Sequence, residues 1–265
     1  MADLNPVRAW RRMLALPNES RTKTLIVAFL VAAASTLLLS GATVLLRPIQ
    51  AQNRAAEAQA QLAALIGGIP GMTDLLQAAG GQLSTVVIDL ERGAAAQGVT
   101  PENLEEVLAE GSNWTQLAPG EDLAGLGRRP DFARIYLLRE GDAIRLLLLP
   151  MAGAGYNGTI NTIMALQGDL STVAGFAIME HRETPGLGAR IDEPAWLAQF
   201  VGRQTRDERG QLRFAVARGP AGSVHEVDGI TGATRTTNGI SQMVRFWLGP
   251  QGYGPLLEAI RRGEF

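Results

Sequence analysis

The pattern of apolar and polar positions divides the chain into two unlike parts. Residues 24–46 run for a full span without one charged side chain. At about 1.5 Å of rise per residue, such a run crosses a hydrocarbon core of roughly 30 Å as a helix. Arg8, Arg11, Arg12, Arg21 and Lys23 precede it, and Arg47 and Arg54 follow. The heavier basic flank predicts a cytoplasmic N-terminus, with everything after Leu46 on the far side of the membrane. A cleaved signal peptide is the alternative. Its apolar core is usually shorter and a small-x-small site follows at once. Here Arg47-Pro48 follows, and Ala58-Gln59-Ala60 lies well downstream. The expected organisation is a cytoplasmic segment 1–23, a single transmembrane helix 24–46, a helical linker 47–83 and a soluble domain 84–265 outside.

Beyond the linker the periodicity changes. Val86, Ile88 and Leu90 alternate, which predicts a strand. Residues 101–109 read as a short helix and 120–131 as loop. Ile135–Leu138 and Ile144–Leu149 flank Glu140-Gly141-Asp142 and predict a hairpin. Ile160–Leu166 and Val173–Met179 form another strand pair. A helix over 193–201 carries Pro194 in its first turn, and Leu212, Phe214 and Val216 alternate again. Ile240, Met243, Val244, Trp247 and Leu248 then recur at helical spacing and stop at Gly249-Pro250. A last helix covers 255–262. Strands followed by helices predict an α+β domain with a largely antiparallel sheet and flanking helices.

Composition narrows the chemistry. The 265 residues include no cysteine and two histidines, His181 and His225. Disulfides, thiolate nucleophiles and cysteine-bound iron–sulfur clusters are excluded, and a histidine-rich metal site is disfavoured. A net charge of −2 gives no reason to expect a nucleic-acid partner. Redox chemistry here requires an organic cofactor.

Two stretches could carry one. Asp228-Gly229-Ile230-Thr231-Gly232-Ala233-Thr234 sets hydroxyl residues among small ones, immediately ahead of the predicted helix at 240–248. Thr234 therefore falls at or near a helix N-terminus, where unpaired amides and the positive dipole end favour an anion. Gly232 and Ala233 leave room around its hydroxyl, and Asp228 could help bind a magnesium-bound nucleotide. Thr234 or Thr236 as an ordinary helix cap is the alternative. The second stretch is Glu183-Thr184-Pro185-Gly186-Leu187-Gly188. Pro185-Gly186 suits a type II turn, and Gly188 permits close backbone approach. A flat ring could lie against Leu187 with Thr184 hydrogen-bonded to it; a plain loop with solvated charges is the other reading. His181 is either a proton donor to a cofactor or a satisfied strand-end histidine. Glu105-Glu106 reads as solvated helix surface. The glycine cluster 153–158 reads as a flexible turn, since it lacks a phosphate-loop lysine.

Thr231-Gly232-Ala233-Thr234 resembles the flavinylation motif of the FMN-binding domain family, in which FMN is joined to the last hydroxyl residue by a phosphodiester. Asp228 fits the longer pattern, and residues 183–188 resemble the second signature. With the N-terminal anchor and the ending Phe246-Trp247-Leu248-Gly249 and Gly252-Tyr253-Gly254-Pro255, the chain is similar to the C subunits of sodium-translocating NADH:quinone reductases. Gly155-Tyr156-Asn157-Gly158 and Glu180-His181 look more like the G subunits of the related Rnf complexes. Arg235 stands where an apolar residue is expected. The resemblance implies covalent FMN on Thr234, packing against Thr184, Leu187 and Gly188, electron relay among other subunits of a membrane complex, and maturation by a magnesium-dependent flavin transferase. It implies no catalytic residue and no metal ligand in the chain itself. An anchored assembly module without a cofactor is the competing class.

Overall fold

The computed structural model describes residues 83–265 without a break, and residues 15, 17, 20, 21, 23–37, 40 and 41 of the N-terminal part. The chain divides into two units, Met1–Gln61 and Leu62–Phe265. In the first, residues 23–37 are helical. Among the described residues, no helix is long and apolar enough to cross a membrane. The rest of the expected span, at 38–39 and 42–46, and nearly all of the linker, lie outside the described residues.

The second unit is built on a six-stranded sheet in the order β2-β1-β5-β6-β7-β8. Its strands are β1 (Leu83–Asp89), β2 (Ala94–Ala95), β5 (Phe132–Glu140), β6 (Ala143–Ala154), β7 (Thr159–Gln167) and β8 (Val173–Glu180). Every pairing in it is antiparallel. The expected α+β class and both hairpins are found. Glu140 pairs with Ala143, leaving Gly141 at φ 59° in the turn, a conformation that favours glycine.

Side chains alternate along these strands, so each strand feeds both faces. Ile135, Leu137, Leu147, Leu149, Met151, Met164, Leu166 and Phe176 join the larger core. Tyr136, Leu138, Leu146, Leu148, Ile163 and Ala165 form a separate cluster from the alternate positions. The larger core is closed by α3 (Thr234–Trp247) and α4 (Gly254–Arg261). Ile240, Met243, Val244, Trp247 and Leu248, picked out by their spacing, are all buried. The approach of α3 to β6 requires glycine. A Cβ on Gly239 would lie 2.4 Å from the Ala154 carbonyl oxygen, and one on Gly153 would lie 2.7 Å from Met243 Cβ. Trp247 Nε1 donates to Ala152 O at 2.7 Å, and Tyr253 OH donates to Pro150 O at 2.6 Å. The C-terminal helices are thus fixed to β6.

Several local expectations need correction. Part of the expected 120–131 loop is β4 (Arg128–Pro130), paired with β3 (Trp114–Gln116). Three-residue strands leave no periodicity to read, and this pair is held by arginine chemistry: the Arg128 guanidinium sits 4.7 Å from the Trp114 ring centroid. The expected 101–109 helix narrows to α1 (Leu104–Ala109). The helix at 193–201 is only α2 (Pro194–Leu197), continued by a 3₁₀ turn over Ala198–Phe200. The alternation at 212–216 yields the short β9 (Ala215–Val216), which runs parallel to β10 (Glu226–Val227).

Candidate functional site

The two motif stretches, far apart in sequence, meet at the start of α3. The element order explains why. Residues 183–188 leave the end of β8, 228–233 lead into α3, and the turn 155–158 joins β6 to β7 beside them.

Both motifs are built on the same kind of turn. Leu187 N donates to Thr184 O and Ala233 N donates to Ile230 O. The third residue of each, Gly186 and Gly232, has φ of 74° and 81°. This is the position in a type II turn that favours glycine. Pro185 supplies the fixed φ expected one residue earlier in the first turn. The turns touch: a Cβ on Gly232 would lie 3.1 Å from Leu187 Cδ2.

Beneath them lies Glu183, which is buried. Its Oε1 accepts hydrogen bonds from the Tyr156 amide at 2.8 Å and the Asn157 amide at 3.0 Å. Its Oε2 accepts one from the Thr236 hydroxyl on α3. Glycines flank the carboxyl group on both sides. A Cβ on Gly155 would lie 2.4 Å from Oε1, and one on Gly188 would lie 2.5 Å from Oε2 and 2.8 Å from Thr236 Oγ1. Asn157 Nδ2 also donates to Thr184 Oγ1 at 2.9 Å. One side chain therefore ties the 155–158 turn, the 183–188 loop and α3 together. Glu183, expected from the motif to lie at the cofactor, is a buried brace beneath this surface. Gly188 is required by this internal packing.

Thr234 is the first residue of α3, as expected, and its side chain is exposed. The cap reading does not hold. The N-cap residue is Ala233, with no side-chain cap hydrogen bond. Thr236 is committed to Glu183, and the Thr237 hydroxyl bonds back to the carbonyls of Ala233 and Thr234. Among the described residues the Thr234 hydroxyl has no hydrogen-bond partner. The first amide at this end to reach a main-chain carbonyl beyond the turn is that of Thr237, bonded to Ala233 O. The amides of Thr234, Arg235 and Thr236 find no acceptor among the described residues. Thr231 and Gly232 are exposed and Ala233 is buried.

Around this hydroxyl the surface is partly apolar. Leu187 and Tyr156 are 47% and 56% exposed, and Arg235 lies over the Tyr156 ring at 5.5 Å from its centroid. An exposed hydroxyl, unpaired amides of the kind that hold phosphate, and apolar side chains for a flat ring fit a phosphate-bearing aromatic cofactor.

Asp228 is held by three contacts of its own. Its Oδ1 accepts from Ala221 N at 2.7 Å, its amide donates to Gln199 Oε1 at 3.0 Å, and its carbonyl accepts from Trp196 Nε1 at 2.8 Å. It braces the loop that delivers the 230–233 turn. His181 is satisfied at the end of β8: Nδ1 accepts from Glu183 N at 3.1 Å, and Nε2 lies 3.3 Å from Asp192 Oδ2. His225 Nδ1 pairs with Gln204 O at 2.9 Å. Neither histidine contacts Thr234 through these bonds. The Glu183–Thr236 link and the place of Tyr156 and Asn157 are not foreseen from sequence. A glutamate inside a glycine-rich run, with another glycine cluster awaiting a partner, is the signal that could have found them.

Residues 155–249 match the family model described as FMN-binding domain. The chain is 36% identical over 257 residues to the Na(+)-translocating NADH-quinone reductase C subunit from Pseudomonas aeruginosa, covering 93% of this chain and 98% of that protein. It is 32% identical over 254 residues to the C subunit from Vibrio alginolyticus, covering 95% and 99%. The chain belongs to the family of Na(+)-translocating NADH-quinone reductase C subunits. These relatives align along nearly all of its length. The fold agrees. The crystal structure of Shewanella oneidensis NqrC superposes with a TM-score of 0.61 at 23% identity, covering 72% of this chain and 88% of that one. The C subunit from Parabacteroides distasonis gives 0.54 at 21% identity, covering 80% and 96%.

Proposed function

We propose that this chain is a membrane-anchored electron carrier that holds FMN in phosphodiester linkage to Thr234. It relays electrons among the other subunits of a sodium-exporting NADH:quinone reductase. The supporting observation is the state of the acceptor: an exposed, unpartnered hydroxyl on the first residue of a 14-residue helix, beside unpaired amides. Bound there, FMN supplies reversible electron uptake and release.

The chain's own residues do the rest. The amides of Thr234, Arg235 and Thr236 provide donors for the phosphate oxygens. Leu187 and Tyr156 offer apolar surface to a ring system, and Thr184 Oγ1, already an acceptor from Asn157, keeps its proton free to donate. Glu183 fixes the spacing between these parts. The linkage keeps the carrier loaded whatever its redox state. It requires a separate flavin transferase.

The anchor reading is supported by the N-terminal helical segment, where Leu25, Phe29 and Leu37 are 71%, 72% and 74% exposed. Large apolar side chains left this open in water are costly. Insertion into a bilayer removes that cost and places residues after Leu46 in the periplasm, following the basic bias upstream. The test is a denaturing gel of the full chain produced with its transferase. The band should fluoresce, and Thr234→Ala should be dark. A dark wild-type band overturns the reading.

A further inference from the structure

We propose that Arg235 is a positioning residue for the cofactor's phosphate. In this assignment its guanidinium leaves or tilts from the Tyr156 face to pair with the diester on Thr234, and Tyr156 holds it ready when no phosphate is present. The proposal rests on Thr234 being the acceptor.

Three observations carry it. Arg235 is the residue next to the acceptor and is exposed. It makes no ion pair among the described residues. Its guanidinium lies 5.5 Å from the Tyr156 ring centroid, a contact that is weak at an exposed site. A weak aromatic contact is easily exchanged for a stronger one. Pairing of a guanidinium with a phosphate oxygen is charge-assisted and can be bidentate. The ring is itself well placed. Its backbone amide is pinned by Glu183 at 2.8 Å, and the next residue is held by Glu183 and Thr184. The backbone that carries the ring is thus held in place, and the exposed arginine over the ring is the movable part.

The carboxyl group bonded into this network, Glu183, is buried and already accepts three hydrogen bonds. It is committed beneath the surface and does not pair with the guanidinium. Transfer of FMN from FAD to Thr234 forms the bond between threonine oxygen and phosphorus, breaks the pyrophosphate bond and releases AMP. The threonine proton is lost in the process. The phosphoryl group keeps negative charge throughout, so a cation beside it aids both attachment and the finished diester.

The test uses the full chain with purified flavin transferase, FAD and magnesium. Arg235→Leu preserves helix propensity, and Arg235→Lys keeps the charge. Initial rates of flavin attachment are followed by in-gel fluorescence, and the ³¹P resonance of the attached diester is recorded at low and high salt. Arg235→Leu should attach flavin about tenfold more slowly yet reach the wild-type plateau. Arg235→Lys should recover most of the rate. The wild-type resonance should move with salt, while that of Arg235→Leu should already sit at the high-salt position. Wild-type rate in Arg235→Leu, or a resonance unaffected by either substitution, overturns the proposal. Loss of flavin from every protein, wild type included, would instead overturn the Thr234 assignment.

Discussion

Removing the Glu183 carboxyl should loosen the site and the domain together, and the structure gives the size of the effect. Glu183→Ala deprives three donors of their acceptor: the amides of Tyr156 and Asn157 and the hydroxyl of Thr236. A donor left unsatisfied in the interior costs about 1–3 kcal/mol. Tyr156 and Asn157 are exposed residues, so water can replace the acceptor and each amide costs about 1 kcal/mol. Thr236 is 2% exposed, so its hydroxyl costs about 2 kcal/mol. The total of about 4 kcal/mol lowers the melting temperature by roughly 8–16 °C for a domain of this size. Glu183→Gln retains one carbonyl oxygen for the two amides and presents its NH₂ to Thr236, whose oxygen can accept. It should lose about 1–2 kcal/mol, since charge-assisted bonds are roughly twice as strong as neutral ones. Thermal unfolding of the full chain in detergent, followed by circular dichroism, measures both. Flavin attachment in the same preparations should fall more for Ala than for Gln, because the 155–158 turn is released from α3. A Glu183→Ala protein that melts within about 2 °C of wild type, where the bracing predicts at least four times that, would refute the reasoning.

Two further outcomes follow from the same geometry. Gly239→Ala should destabilise despite alanine's better helix propensity: its Cβ would lie 2.4 Å from Ala154 O, so α3 must move off β6. A cost of about 1–3 kcal/mol is expected for such overpacking, readable by the same melts; a gain in stability would show that the helix sits farther out. Asp169 gives a pH dependence. Burial alone would raise its pKa. The hydrogen bonds from the Thr172 hydroxyl and amide and the Ser171 amide, with Arg261 nearby, more than offset that and hold it below the ordinary aspartate range. With the folded value depressed, its contribution is full above about pH 4, the unfolded value, and is lost as pH falls through the lower folded one. Asp169→Asn should therefore be less stable than wild type at neutral pH and converge with it in acid. A gap that persists or widens in acid would contradict this.

The fold was legible where elements were long. Nine- and twelve-residue strands such as β5 and β6 repeat their alternation often enough to be read. The stripe of Ile240, Met243, Val244 and Trp247 pointed straight to α3. The three-residue β3 and β4 were not legible, because they contain no full period and are held by Arg128 on Trp114. The site was legible as two motifs and as a turn chemistry, Pro185-Gly186 before all. Its wiring was not. Glu183 reads as a charged loop residue until Gly155, Gly188 and Thr236 are seen to enclose it, and that enclosure depends on the 155–158 turn and the 183–188 loop meeting α3. The same holds for Asp228, whose three contacts are to residues 7 to 32 positions away in sequence.

Covalent electron carriage by this chain stands or falls on the side-chain oxygen of Thr234. Peptide mapping by tandem mass spectrometry, on chain isolated from membranes of cells that carry the flavin transferase, tests it most directly. The peptide spanning residue 234 should carry the added mass of one FMN less water, and fragmentation should assign it to Thr234, leaving Thr231, Thr236 and Thr237 unmodified. An unmodified Thr234 in that material, or FMN on another residue, would contradict the account.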